Sequence, residues 1–141
     1  MTPRDTRTGG VLEEMILPAL QQGGYTFRKQ VVVGRRPGGS RHKIDILAHK
    51  GEGKPILISL KWQQVVGTAE QKVPFEVICL CDEILGKRKQ YRDAYLVLGG
   101  DGWKLRDYYV SGRLSKHLKH ARLVKIHTLE SFIRLANQGK L

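Results

Sequence analysis

Residues 43–62 hold two alternating apolar runs separated by a short turn, and no other pattern in the 141-residue chain constrains the fold as tightly. From Lys43 to His49, Ile44 and Ile46 fall on one face, with Asp45 and Leu47 on the other. From Ile56 to Trp62, Ile56, Ile58, Leu60 and Trp62 alternate with Leu57, Ser59 and Lys61. A period of two belongs to strands, whose successive side chains point to opposite faces. Gly51 to Pro55 supplies turn residues between the runs, so the pair predicts a hairpin.

The rest of the chain builds around that hairpin. Tyr25 to Val33 is rich in β-branched and aromatic residues and predicts a preceding strand. A basic, glycine-rich loop, Gly34 to Ser40, follows it. Val11 to Gln22 places Leu12, Met15, Ile16, Ala19 and Leu20 at helical spacing, with Pro18 expected to kink the helix and Gly23-Gly24 to stop it. Downstream, Thr68 to Lys87 predicts a helix with Thr68 near its N-cap, and Pro74 is a candidate interruption. Ala94 to Leu98 predicts a buried strand. Trp103 to His120 predicts one or two short helices broken at Ser111-Gly112. Arg122 to His127 alternates as a strand, and Leu129 to Asn137 closes as a helix. This order implies an α/β fold, a mixed sheet with helices on its faces. Residues 1–10 read as a flexible basic arm, and residues 11–141 fit the size of one domain.

Lys and Arg number 25 against 13 Asp and Glu, a formal charge of +12, with a pI near 10.0. An excess this large favours a polyanionic partner, because neutralising phosphates releases condensed counterions. Nucleic acid fits better than a membrane surface or a charge kept for solubility. Hydrophobic residues make up 40% and the mean hydropathy is −0.35, as expected of a globular protein. No apolar run is long enough to span a membrane, and Met1 to Gly10 lacks the apolar segment of a signal peptide. The two cysteines, Cys79 and Cys81, read as reduced core residues, which implies a cytoplasmic protein.

The chemistry-bearing pair is Asp45 and Lys61. A short turn makes their strands neighbours, and matching registers bring both side chains to one face. A strand-borne Asp beside a strand-borne Lys needs partners, because burying either charge alone is expensive. A hard cation such as Mg²⁺ suits the carboxylate. The Lys can orient or deprotonate an attacking water, or hold a scissile phosphate. Gln63, two residues after Lys61, shares that face and could bond phosphate or water. Arg35, Arg36, Arg41 and Lys43 flank the glycine-rich loop and suit phosphate contact. Lys116 and Lys119 stand in a second basic cluster with His117, His120 and Arg122.

The stretches His42-Lys43-Ile44-Asp45-Ile46-Leu47 and Pro55-Ile56-Leu57-Ile58-Ser59-Leu60-Lys61-Trp62-Gln63 resemble the PD-(D/E)XK nucleases. The resemblance covers about residues 9–79 and agrees with that superfamily's restriction-endonuclease-like αβββαβ core. It implies Asp45 as metal ligand, Lys61 as catalytic, and Mg²⁺ or Mn²⁺ as cofactor. Ser59 departs from the pattern, which carries Asp or Glu there. Some restriction enzymes of the superfamily also show Ser-x-Lys and recruit a Glu from the following helix, for which Glu70 and Glu76 are the candidates. Gly9, Glu13 and Gly24-Tyr25 resemble the first helix of Holliday-junction resolvases, which implies Glu13 as a further metal ligand. Glu14 is its neighbour.

The reading is therefore a metal-dependent endonuclease cutting DNA phosphodiesters, restriction-type or junction-resolving. One site per chain implies a homodimer for cutting two strands. The alternative is a catalytically inactive nucleic-acid-binding module of the same fold.

Overall fold

Leu12, Ile16, Ala19 and Leu20 lie on one side of the first helix and are all buried, which explains why the segment is helical. The computed structural model describes residues 4–86 and 88–141, with side-chain surroundings from residue 10 onward. Helix α1 (Arg4–Gln22) begins ahead of the expected Val11 and continues through Pro18. Glycine inside a helix costs only about 1 kcal/mol, so Gly9 and Gly10 do not end it. The stretch expected as a flexible arm is thus helical from Arg4, and its first three residues lie outside the described residues. Gly23 is needed where α1 ends, because a Cβ there would stand 1.8 Å from the Ala136 carbonyl oxygen.

Five strands follow: β1 (Thr26–Arg35), β2 (Arg41–His49), β3 (Ile56–Trp62), β4 (Asp93–Gly99) and β5 (Val124–Thr128). They form one sheet in the order β1-β2-β3-β4-β5. The first three pair antiparallel; β3 with β4 and β4 with β5 pair parallel. The expected mixed sheet with flanking helices is therefore present, consistent with a restriction-endonuclease-like core. Helices α2 (Ala69–Ile84), α3 (Arg106–Val110) and α4 (Leu129–Asn137) complete the chain.

The sheet carries an apolar layer on each face. On one, Ile46, Ile56, Ile58, Leu60, Tyr95 and Val97 pack with α1 and α4. On the other, Leu47, Leu57, Ala94, Leu96 and Leu98 pack with α2 and α3. The segment from Trp103 to His120 contains only the short α3 and a 3₁₀ turn at Arg113–Lys116. Gly112, at φ 83°, separates them. A second 3₁₀ turn, Ala121–Leu123, delays β5 to Val124. Both cysteines are buried and free. No helix among the described residues is long and apolar enough to cross a membrane.

Candidate active site

The centre forms where β2 and β3 part. Their ladder runs from Ala48↔Ile56 to Ile46↔Ile58 and stops. Asp45 is next on β2, and its Oδ2 accepts the Leu60 N–H at 2.7 Å. A side-chain carboxylate stands where a ladder carbonyl would be. On the other side of β2, Lys29 pairs with Ile46 and Val31 with Ile44, while Gln30, opposite Asp45, leaves the ladder. Gln30 holds φ 55°, a strained left-handed conformation of the kind that costs about 1–3 kcal/mol. Its Nε2 donates to Glu13 Oε2 at 2.7 Å, tying β1 to α1 beside the centre.

The face that β2 offers changes at Asp45. Ile46 packs in the layer with α1 and α4, but Ile44 packs in the layer with α2. This corrects the expectation that the two isoleucines share a face. A regular strand would keep them together, and the break in the ladder opposite Gln30 separates them.

Burial raises the pKa of Asp45 above the ordinary 3.8, and the negative fields of Glu76 and Glu13 add to the rise. The Leu60 N–H and the Lys61 ammonium oppose it without cancelling it. Lys61 sits where β3 emerges from the core and becomes half-buried. Among the described residues, no carboxylate lies within ion-pair distance of its ammonium. Asp45 thus feels the charges of Lys61, Glu76 and Glu13.

A second polar cluster lies against the first. The His42 ring is 0% exposed, with Nδ1 3.1 Å from Glu83 Oε2 and Nε2 3.3 Å from Glu76 Oε2. Glu76 and Glu83 are two helical turns apart on α2, so one imidazole bridges them. Arg36 Nη2 adds an ion pair to Glu76 Oε1 at 3.5 Å. Burial alone would lower the His42 pKa, but the hydrogen bonds to Glu76 and Glu83 outweigh it and raise it above 6.5. Burial alone would raise Glu76, but His42, Lys61 and the Ser59 hydroxyl outweigh it and hold it below 4.5. Buried charges persist when paired in this way.

The other expected site residues separate into two groups. Ser59 is buried on β3 beside Glu76. Gln63 is buried, and its side chain is used at both ends: Nε2 donates to the Gly102 carbonyl at 2.8 Å and Oε1 accepts the Ala69 N–H at 2.9 Å. It is a brace between loops, with one Nε2 hydrogen and one Oε1 lone pair left over. Glu70 is buried and its Oε1 accepts the Leu105 N–H at 2.5 Å, so its carboxylate anchors α2 to the turn before α3. Of the two helix glutamates, Glu76 is the one that reaches the centre, and it arrives already paired. Glu14 is exposed, unlike Glu13. Arg35 Nη1 donates to the Gly39 carbonyl within its own turn at 2.7 Å. Arg41 and Lys43 are exposed on β2, and Lys116 and Lys119 are exposed around the 3₁₀ turn after α3. His42 and Glu83 were not anticipated. The available signal was a histidine two residues before a core isoleucine, opposite glutamates seven apart on the next helix.

The family model for the PD-(D/E)XK nuclease superfamily domain matches residues 4–140. The chain belongs to the PD-(D/E)XK nuclease superfamily. Among solved structures, this superfamily member is similar to the crystal structure of a protein of unknown function, AF1548, with a TM-score of 0.50 and 11% identity. The match covers 83% of the chain but 56% of AF1548, so the chain spans little more than half of that protein's length. At this identity the likeness concerns the fold alone. No curated protein matches the chain.

PD-(D/E)XK nucleases generally use divalent metals, so the donor set of this member bears on the chemistry. Among the described residues, no group of three or more His, Cys, Asp or Glu side chains is arranged to hold a metal ion. Mg²⁺ does not require one: it keeps several waters and is commonly held by one or two carboxylates together with substrate phosphate. Asp45 and Glu13 are oxygen donors of the right hardness on adjoining elements, and their mutual repulsion is what a cation relieves. The residues fit such an ion.

Proposed function

We propose that this chain is a metal-dependent endonuclease that hydrolyses phosphodiester bonds of DNA, with Asp45 and Lys61 at its centre. The observation that carries the reading is the Asp45 carboxylate, half-buried where β2 and β3 part, bonded to the Leu60 N–H and within the fields of Lys61 and Glu13. Asp45 would hold Mg²⁺ or Mn²⁺, with Glu13 as the second carboxylate. The bound ion would supply positive charge to the scissile phosphate. Lys61 would hold the attacking water or a phosphate oxygen, its ammonium donating from Nζ. Ser59 leaves space for Glu76 at the position of the missing acid. Glu76, engaged by His42 and Arg36, would be part of the support around the centre rather than bind the ion itself. Arg41, Lys43, Lys116 and Lys119 are free to meet the backbone of DNA, and the +12 charge supports a polyanion. Two copies would be needed to cut both strands. Within the class, Ser59 leans to the restriction type and Glu13, held by Gln30, to the junction-resolving layout.

A second reading, a catalytically inactive binding module, is favoured by Ser59 and by the pairing of Glu76. One assay separates them: cleavage with Mg²⁺ or Mn²⁺ of supercoiled plasmid, linear duplex, single strands and a four-way junction. Cleavage by the native chain, lost in Asp45→Ala and Lys61→Ala with binding retained, is expected. Salt-sensitive binding without cleavage of any substrate would move the reading to the inactive module.

A further inference from the structure

Four consecutive residues of β5, Val124 to His127, line a cavity of about 300 Å³. Its other side is made by the end of α3 and the 3₁₀ turn at Arg113–Lys116. Successive side chains of a strand point to opposite faces, so a cavity on one face of the sheet would touch alternate residues only. Here Val124 and Ile126 pack in the layer with α2 and α3. Lys125 lies over the Tyr95 ring and His127 stands beside that ring, on the side of α1 and α4. The cavity therefore runs along the edge of the sheet, where β5 is the last strand. β5 pairs with β4 alone, and no other backbone hydrogen bond among the described residues uses Val124 to His127. One row of its ladder groups thus opens into the cavity, as at any unpaired strand edge.

The walls indicate what enters. The buried Val77, Tyr109, Leu114 and Ala121 supply an apolar floor, and the exposed Arg122 and Lys125 supply a basic rim. Asp93 offsets part of the Lys125 charge from β4, at 3.3 Å, but among the described residues no acidic side chain lines the cavity. A second copy would bring the same basic rim to this edge and be repelled. Nucleic acid would answer the rim but has no peptide groups with which to continue a ladder. An extended acidic peptide does both. Its N–H and C=O groups extend the sheet, one set of alternate side chains fills the apolar floor, and the other set meets the rim. We infer that the β5 edge is a docking site for an extended acidic segment of another protein, which adds to the five-stranded sheet as a further strand. The inference goes beyond the nuclease reading and is independent of it, because none of the residues of the Asp45 centre lines this cavity.

The test measures fluorescence anisotropy of a labelled peptide of alternating Glu and Val, titrated with the full chain. Two further probes are the same peptide N-methylated at alternate residues, which keeps its charge but cannot continue a ladder, and oligothymidylate. The native chain should bind the plain peptide saturably and the N-methylated one at least about tenfold more weakly. Arg122→Glu, which reverses the rim, and Ser111→Trp, which fills the cavity mouth without changing its charge, should each weaken the plain peptide about tenfold. Both positions are exposed, so both variants should keep the native melting temperature. Oligothymidylate binding should be unchanged in Ser111→Trp. No saturable binding of the plain peptide overturns the docking site. Equal binding of the two peptides overturns it in favour of charge alone. A parallel loss of oligothymidylate binding in Ser111→Trp overturns it in favour of a nucleic-acid surface. Self-association of the native chain in sedimentation that Ser111→Trp abolishes overturns it in favour of a second copy.

Discussion

Asp45 and Glu76 both feel the charge of Lys61, yet their carboxyls move in opposite directions. Both are desolvated and both feel the Lys61 ammonium. Asp45 ends above its ordinary pKa because a single backbone N–H and a neighbouring Lys do not offset burial and two nearby acids. Glu76 ends below its ordinary value because His42, Lys61 and Ser59 surround it. One carboxylate is left wanting positive charge and the other is already neutralised. The difference separates a site that can take up a cation from a cluster that holds the fold.

The largest expected effect comes from removing the unsatisfied carboxylate. Asp45→Asn should lower single-turnover cleavage by at least about 10³-fold, since a cation's contribution to phosphoryl chemistry is several kcal/mol. It should not lower the melting temperature at pH 7, because Asn still accepts the Leu60 N–H and no buried charge remains. The sign follows from the raised pKa: ionising Asp45 costs stability as pH rises above 3.8, so the variant's advantage should disappear in acid. A large loss of stability in this variant would break the comparison.

His42→Ala should act the other way. It leaves the buried Glu76 and the partly buried Glu83 without their shared partner, and urea unfolding should show a loss of about 3–5 kcal/mol. Gln63→Ala removes one buried and one part-buried hydrogen bond and should cost about 2 kcal/mol, with little change in cleavage per folded molecule. A selective loss of cleavage in that variant would return Gln63 to the catalytic role that its position on β3 suggests.

The smallest effect is the pH dependence of the His42 cluster. The raised His42 pKa adds stability that is fully present below 6.5 and lost as pH rises through the folded value. The lowered Glu76 pKa adds stability present above 4.5 and lost as pH falls through its folded value. The stability difference between native chain and His42→Gln should therefore be widest between these values and narrow by pH 9. A difference that grows towards pH 9 would mean that the imidazole is neutral in the folded chain.

The hairpin and its two charged residues were legible because alternation is local. Ile56–Trp62 and Leu129–Asn137 begin and end in the structure where their patterns begin and end. The switch of faces at Asp45 was not legible, because it depends on Gln30 leaving its ladder on another strand. Gln63 looked available because its strand face was readable and its partners, Ala69 and Gly102, were not. Glu70 and Glu76 looked alike because their difference lies in what packs against α2. The helix that starts at Arg4 has no apolar stripe in its first turns to announce it.

The most direct test is calorimetric titration of the chain with Mn²⁺ at pH 7, for the native protein, Asp45→Asn and Glu76→Gln. The account predicts saturable binding that Asp45→Asn abolishes and Glu76→Gln weakens only slightly. Binding that survives in Asp45→Asn but is lost in Glu76→Gln would contradict it, and would make the paired carboxylate the metal ligand.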